Sequence, residues 1–192
     1  MAATIPYEAA DVGRFAHVFT PAQLRTGVSL ADVFSEVDDV WPLLGWAPMT
    51  LADEVVLALT IWRENREGGY AGMQSVANVV LNRVNQKGTS AYVECTRPWQ
   101  FTSITGKGDP ELGLWPQIGD AQWKLALSIA SDAAEGSLSD ITGGATLYYN
   151  PASIVTDQTI QIPTGETIPF PKTWNPHVVE YLKEIQNHRF FK

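Results

Sequence analysis

Residues 51–84 read LADEVVLALTIWRENREGGYAGMQSVANVVLNRV, and this stretch decides the fold class. An apolar helical pattern starts after Thr50, which resembles a capping-box residue because Asp53 follows it three positions later. The pattern runs to Trp62 and is expected to end before Gly68-Gly69, since paired glycines stop helices. The first half of the stretch therefore predicts a helix that ends in a glycine-rich turn.

The second half predicts another helix, which starts after Gly72 and stops near Asn85. Its apolar residues recur at spacings of three and four, which is typical of a helix with one buried face. They are Met73, Val76, Ala77, Val80, Leu81 and Val84.

The rest of the chain adds one more helix on each side of a short β region. Asp120 can cap a helix that ends at Gly136, and residues 145–149 have the composition of a strand. A short hairpin is possible around residues 160–168. Asn175-Pro176 is typical of a helix start and predicts a last helix, which carries Val178, Val179, Leu182 and Ile185.

These patterns predict a mainly α (α+β) protein, with a helical domain over residues 51–192 and one small β element. Residues 89–119 are expected to be irregular, and a loop of this length in a compact domain is usually functional. Residues 1–50 are predicted to form an acidic, helical N-terminal extension, because residues 1–54 hold eight acidic and two basic side chains.

Composition argues against several classes of protein. The net charge of −8 disfavours nucleic acid as the partner, and no apolar run approaches the roughly 18 residues of a membrane span. The start of the sequence lacks the pattern of a secretory signal, so cytoplasmic accumulation is expected. The lone cysteine, Cys95, is expected to be a small buried residue.

The motifs of metal and nucleotide enzymes are also missing. His17, His177 and His188 have no HExxH or paired-cysteine context, so no metal site is expected, and the last two are predicted at the surface. No phosphate-binding or dinucleotide-binding glycine pattern is present, so no cofactor is expected.

Glu64 is the residue that could carry chemistry, because it lies where the first apolar helix meets the glycine-rich turn, after Trp62-Arg63. Apolar walls and an aromatic ring would raise its pKa and let it donate a proton near neutrality. A glutamate in the last turn of a helix is more often a solvated surface residue, so its position alone leaves both interpretations open.

The surrounding sequence resembles the SleB-type cell-wall hydrolases, a family that includes spore-cortex lytic enzymes and some phage lysins. Glu64-Asn65-Arg66, Tyr70-Ala71-Gly72 and Val80-Leu81-Asn82-Arg83-Val84 match its Glu-x-Arg, Tyr-x-Gly and Val-Leu-Asn-Arg-Val segments in order and spacing. Three later segments are also similar: Trp99-Gln100-Phe101-Thr102, Gly143-Gly144-Ala145-Thr146-Leu147-Tyr148-Tyr149-Asn150-Pro151 and Asn187-His188-Arg189-Phe190-Phe191. The family often has Gly-Glu-Ala-Arg-Gly-Glu where this chain has Arg63-Glu64-Asn65-Arg66-Glu67-Gly68.

The resemblance implies a lysozyme-like, lytic-transglycosylase-like fold in which Glu64 is the catalytic acid/base. The implied substrate is the glycan strand of bacterial peptidoglycan, cut at the β-1,4 bond between N-acetylmuramic acid and N-acetylglucosamine, with 1,6-anhydro products. The expected protein is a monomer similar to a phage endolysin. The resemblance also implies that Glu64 shares its cleft with substrate-binding residues: Arg66, Gln100, Phe101, Thr102, Tyr148, Tyr149 and Asn150. The rings of Trp99 and Tyr149 would offer faces for sugar stacking.

Three alternatives stay open at this stage. A hydrolytic muramidase would use a second carboxylate, for which Glu67, Asp109 and Glu111 are the candidates. A non-catalytic glycan-binding or tail structural protein could keep the same fold. An amidase is a third possibility, although its usual zinc site or Cys/His pair is not visible.

Overall fold

The computed structural model describes residues 49–154 and 158–192. The predicted N-terminal extension of residues 1–50 lies outside them, apart from Met49 and Thr50. In the described part of the chain, no helix is both long and apolar enough to cross a bilayer.

The two helices around Glu64 are present. Helix α1 spans Leu51–Asn65 and begins with the predicted capping box, in which Thr50 and Asp53 bind each other's backbone N–H groups. A 3-10 turn at Arg66–Gly68 links it to α2, Gly69–Lys87, which ends at Gly88 in the left-handed conformation. Helix α2 thus starts four residues before Met73, the predicted first residue.

The long segment after α2 is more ordered than predicted. It contains helix α3 at Ala91–Thr96, helix α4 at Thr102–Thr105 and a 3-10 turn at Pro110–Gly113. Two of these elements begin at a polar N-cap residue and have no long apolar helical pattern: Ser90 caps α3, and Asp109 caps the 3-10 turn. Helix α5, Ala121–Ala134, is capped by Asp120 as predicted.

The helical core surrounds α1, which packs against α5, α2 and α3. Leu57, Ala58 and Ile61 of α1 are fully buried, as is Cys95 of α3. Burial raises the pKa of the Cys95 thiol to about 12, so this cysteine stays a neutral thiol, as the sequence predicted for a small buried residue.

The β region follows the helices. Strands β1, Leu147–Tyr149, β4, Tyr181–Ile185, and β5, His188–Phe191, form an antiparallel sheet in the order β1-β5-β4. The predicted hairpin is formed by β2, Gln158–Gln161, and β3, Thr167–Phe170. A second core of aromatic and aliphatic side chains joins the sheet to the hairpin: Tyr149, Ile162, Ile168, Phe170 and Phe191.

The predicted last helix is wrong, since this part of the chain is strand β4. Asn175 does accept a hydrogen bond from the N–H of His177, at 3.0 Å, but the chain makes only a turn there. Pairing with β5 through a turn at Gln186, whose φ is 55°, favours the strand over the local helical spacing. His188, predicted at the surface near the end of that helix, lies in β5 and is 5% exposed.

Candidate active site

Glu64 lies in the last turn of α1, in a cleft of about 200 Å³ between the helices and the sheet. The cleft is polar, which suits a substrate rich in hydroxyl and amide groups. Its lining residues are Arg63, Glu64, Asn65, Arg66, Glu67, Glu111, Asn150, Asn187 and His188.

Each carboxyl oxygen of Glu64 accepts one hydrogen bond, and the two donors belong to different parts of the domain. The Ser103 hydroxyl donates to Oε1 at 2.5 Å, and the Tyr148 phenol donates to Oε2 at 2.7 Å. Ser103 belongs to α4 and Tyr148 to β1, so the carboxyl group is held between the helical and the β part of the domain.

Burial raises the pKa of Glu64 above its ordinary value, because the charged form loses solvation. The hydrogen bonds from Ser103 and Tyr148 act in the opposite direction, and the negative charges of Asp109 and Glu111 add to the rise. The carboxyl group is therefore protonated up to a higher pH than an exposed glutamic acid, as a general acid requires.

The Tyr148 phenol is a stable donor to Glu64. Burial and the nearby Glu64 carboxylate raise the pKa of Tyr148 well above its ordinary value, so the hydroxyl keeps its proton. Its ring lies edge-on to His188, with centroids 5.3 Å apart, and stacks on Phe190 at 5.8 Å.

The side chain of Asn65 connects the C-terminal end of α1 to the sheet. Its Nδ2 lies 3.2 Å from Nδ1 of His188, which also lies 2.9 Å from Oδ1 of Asn187. Burial lowers the pKa of His188, which keeps the ring neutral. Gly68 and Gly72 leave room for this amide, because a Cβ at either position would lie 2.5 Å from its Oδ1 or 2.7 Å from its Nδ2, respectively.

The three candidate second acids have different surroundings. Glu111 lines the cleft, but the Arg66 guanidinium holds both of its oxygens, at 2.5 and 3.1 Å. Asp109 caps the 3-10 turn by accepting from the N–H of Glu111 at 2.9 Å. Glu67 also lines the cleft and is exposed.

The structure brings only part of the predicted substrate-binding set to the cleft. Arg66 and Asn150 line it, and Tyr148 binds Glu64 itself. Gln100 and Thr102 are exposed but are not among the residues that line this cleft, and the same holds for Trp99, which is 77% exposed with a φ of 65°.

Two of the predicted binding residues are core residues instead. Phe101 is 1% exposed and packs in the helical core, so its ring has no face for a sugar. Tyr149 is 5% exposed, its ring packs among Phe170, Trp174 and Phe191, and its hydroxyl donates to the carbonyl of Pro169. Side chains at strand positions alternate between faces, so Tyr148 points to the cleft and Tyr149 to the second core.

Asn187 and His188 line the cleft and Ser103 binds Glu64, but none of the three was predicted as a site residue. The indole N–H of Trp62, the aromatic residue expected to flank Glu64, donates to Asp120 at 3.1 Å. The signal for Ser103 was a second hydroxyl next to Thr102, in the segment that resembles the family's Gln-Phe-Ser. Within the described residues, no group of three or more histidine, cysteine or acidic side chains could hold a metal ion.

Comparison with known proteins identifies the family and the fold of the chain. The family model for the cell wall hydrolase domain matches residues 67–191, which is more than half of the chain and begins three residues after Glu64. No curated protein matches the chain.

Two solved structures are similar to the chain. The catalytic domain of the germination-specific lytic transglycosylase SleB from Bacillus anthracis has a TM-score of 0.53 and 24% identity, over 78% of this chain and 98% of that one. The catalytic domain of the Bacillus cereus SleB protein has a TM-score of 0.52 and 25% identity, over 75% and 92% of the two chains. Because the family model covers most of the described domain and the fold agrees, this chain belongs to the cell wall hydrolase family of SleB type.

Proposed function

We propose that this protein is a lytic transglycosylase that cleaves the β-1,4 bond between N-acetylmuramic acid and N-acetylglucosamine in peptidoglycan, with Glu64 as its single acid/base. One observation carries the proposal: a carboxyl group with a raised pKa lies in a polar cleft and accepts one hydrogen bond on each oxygen. Family membership supports the substrate class, since the family model describes cell wall hydrolases.

In the proposed reaction, Glu64 donates its proton to the glycosidic oxygen as the bond to the anomeric carbon breaks. The 6-hydroxyl of the same muramic residue then attacks that carbon and gives its proton to the Glu64 carboxylate. This closes the 1,6-anhydro ring and restores the acid. The Ser103 hydroxyl can rotate to donate or accept, so it can remain bonded to Glu64 in both protonation states.

The surroundings of Glu111 favour a single-carboxyl mechanism over one in which Glu111 is the second acid. A nucleophile or a base for water needs a free oxygen, and Arg66 occupies both oxygens of Glu111. A hydrolytic muramidase is the second candidate, because Glu111 lines the same cleft as Glu64. Release of Glu111 from Arg66 on substrate binding would provide the second acid that such a mechanism requires.

Mass spectrometry of the muropeptides released from purified peptidoglycan distinguishes the two mechanisms. We expect products that end in 1,6-anhydro-muramic acid, because the muramic hydroxyl replaces water as the nucleophile. Products with reducing muramic ends would contradict the transglycosylase mechanism and would favour the muramidase with Glu111. New amino groups without glycan cleavage would instead indicate an amidase.

Replacement of Tyr148 by phenylalanine should move the alkaline limb of the kcat profile to higher pH. The change removes a donor to the carboxylate, so it disfavours the charged form and raises the pKa of Glu64 further. The proton donor then stays active at a pH where the wild-type enzyme has lost its proton. The measurement is kcat against pH on soluble glycan strands.

Tyr181→Phe provides a matched control, since it removes a phenolic hydroxyl from β4, outside the cleft. Its profile should coincide with that of the wild-type protein. An unchanged alkaline limb in Tyr148→Phe would mean that Glu64 is not the group that titrates there.

A further inference from the structure

Arg63, the residue before Glu64, is a buried arginine that binds backbone rather than carboxylate. It is 6% exposed, and within the described part of the chain its hydrogen bonds go to carbonyl oxygens. A buried cation in this position needs a structural or functional reason, because removing it from water is costly.

The Arg63 guanidinium donates hydrogen bonds to three carbonyl groups in the segment between Ser103 and Leu114, which forms the wall of the cleft that carries Glu111. Nη1 donates to the carbonyl of Ser103 at 2.9 Å, and Nη2 donates to those of Leu112, at 3.2 Å, and Leu114, at 2.9 Å. Nε also donates to Leu114 at 3.3 Å, and the guanidinium carbon lies 5.0 Å from the centroid of the Trp115 ring. The planar fork of an arginine suits this divergent set, which an ammonium group could not cover.

The wall that Arg63 holds is the one that carries Ser103. It consists of α4, a four-residue helix, and the 3-10 turn at Pro110–Gly113, and neither is long enough to be stable alone. Side chains outside these elements must therefore fix their place. The same Ser103 whose carbonyl accepts from Arg63 donates its hydroxyl to Glu64.

We propose that Arg63 is a positioning residue for the reaction: it binds the backbone of Ser103, Leu112 and Leu114 and thereby holds the Ser103 hydroxyl against Glu64. The proposal rests on the function proposed above, in which Glu64 is the acid/base. It assigns to Arg63 a role that acts through Ser103 and not through contact with the substrate.

Arg63→Lys is the main test variant because it keeps the positive charge but loses the planar guanidinium group with its several N–H donors. A lysine can bind one of the carbonyls and leaves the wall free to move away from Glu64. Ser103→Ala removes the hydroxyl itself, and the double variant carries both changes. If Arg63 acts through Ser103, the two effects should not add.

The direct readout is the titration of the Glu64 carboxyl group by ¹³C NMR in the full chain, with its signal assigned by its loss in Glu64→Gln. We expect Ser103→Ala to raise the pKa of Glu64, because the carboxylate loses a donor. Arg63→Lys should raise it in the same direction, and the double variant should titrate as Ser103→Ala does. In the same series, kcat should fall roughly ten- to a hundredfold in Arg63→Lys with KM nearly unchanged.

Arg97→Met is the matched control, since Arg97 pairs with the buried carboxylate of Glu94 away from the cleft. It should lower the melting temperature without moving the titration of Glu64. If Arg63→Lys does the same, or if its shift adds to that of Ser103→Ala, the positioning role is overturned and Arg63 is a structural residue.

The outcome for Arg63 can be separated from that for Glu64. Retained activity in Glu64→Gln would overturn the proposed function, while the titration would still show whether Arg63 holds Ser103. If Glu64→Gln is inactive but the pKa of Glu64 is unchanged in Arg63→Lys, only the role of Arg63 is overturned. Should Arg63→Lys fail to fold, Arg63→Gln replaces it, as an amide can keep one of the carbonyl contacts.

Discussion

Glu64→Gln should reduce the cleavage of peptidoglycan by about a thousandfold, within the range that general acid–base catalysis contributes. Glutamine has the size of the native side chain and can still accept from Ser103, but its amide N–H is too weak an acid to protonate the glycosidic oxygen. The measurement is the rate of release of soluble muropeptides. Glu166→Gln, the same chemical change in the exposed turn between β2 and β3, should leave the rate unchanged.

The same variant should become the more stable protein as the pH rises. The folded state raises the pKa of Glu64, so its protonated form stabilises the fold below the ordinary pKa of glutamic acid. This contribution is lost as the pH rises through the folded-state pKa, and glutamine has no such loss. The melting temperature of Glu64→Gln relative to the native protein should therefore increase with pH. Full activity in Glu64→Gln would mean that a different group is the catalytic acid, and absence of cleavage by the native protein would favour a protein that only binds glycan.

Phe101→Ala should lower the free energy of unfolding by about 3–5 kcal/mol, the usual cost of removing a buried aromatic side chain. The ring is 1% exposed, packs in the helical core and lies 5.4 Å from the guanidinium carbon of Arg83. Such a loss is a large part of the roughly 5–15 kcal/mol by which domains are stable. Urea unfolding followed by circular dichroism measures it.

Trp99→Ala gives the matched comparison, because it removes an aromatic ring two residues away that is 77% exposed. Its free energy of unfolding should change by less than about 0.5 kcal/mol. If Phe101→Ala keeps its native stability but has a raised KM, the result would support the substrate contact that the sequence predicted for this ring.

The helices around Glu64 could be predicted from the sequence because their determinants are local. The capping box of Thr50 and Asp53 and the apolar face of α2 each lie within a few residues. Strand β4 could not be predicted in this way, since apolar residues at 178, 179, 182 and 185 fit a helix. The choice depends on pairing with β5, which periodicity does not record.

The same distinction between local and long-range determinants applies to the site. Glu64 could be singled out by its place at a helix end and by the family resemblance, which also implied Tyr148 in the same cleft, whereas Ser103 was not predicted. Tyr148 and Ser103 lie 84 and 39 residues from it in the sequence. Phe101 and Tyr149, predicted to bind substrate, are buried in the two cores, because an aromatic residue beside a site residue fits a core position equally well. The endolysin-like setting and the monomeric state stay predictions.

Strand β5 has a consequence for the order in which the protein becomes able to act. It lies between β1 and β4 in the sheet, yet it follows every other described element in the chain. On the ribosome, the helices with Glu64 emerge first, and long-range strand pairing comes last. Until His188 and Phe190 are in place, the Tyr148 ring lacks the neighbours that hold it beside Glu64. We therefore expect a chain in which β5 has not yet paired to lack the complete enclosure of Glu64 and to be inactive.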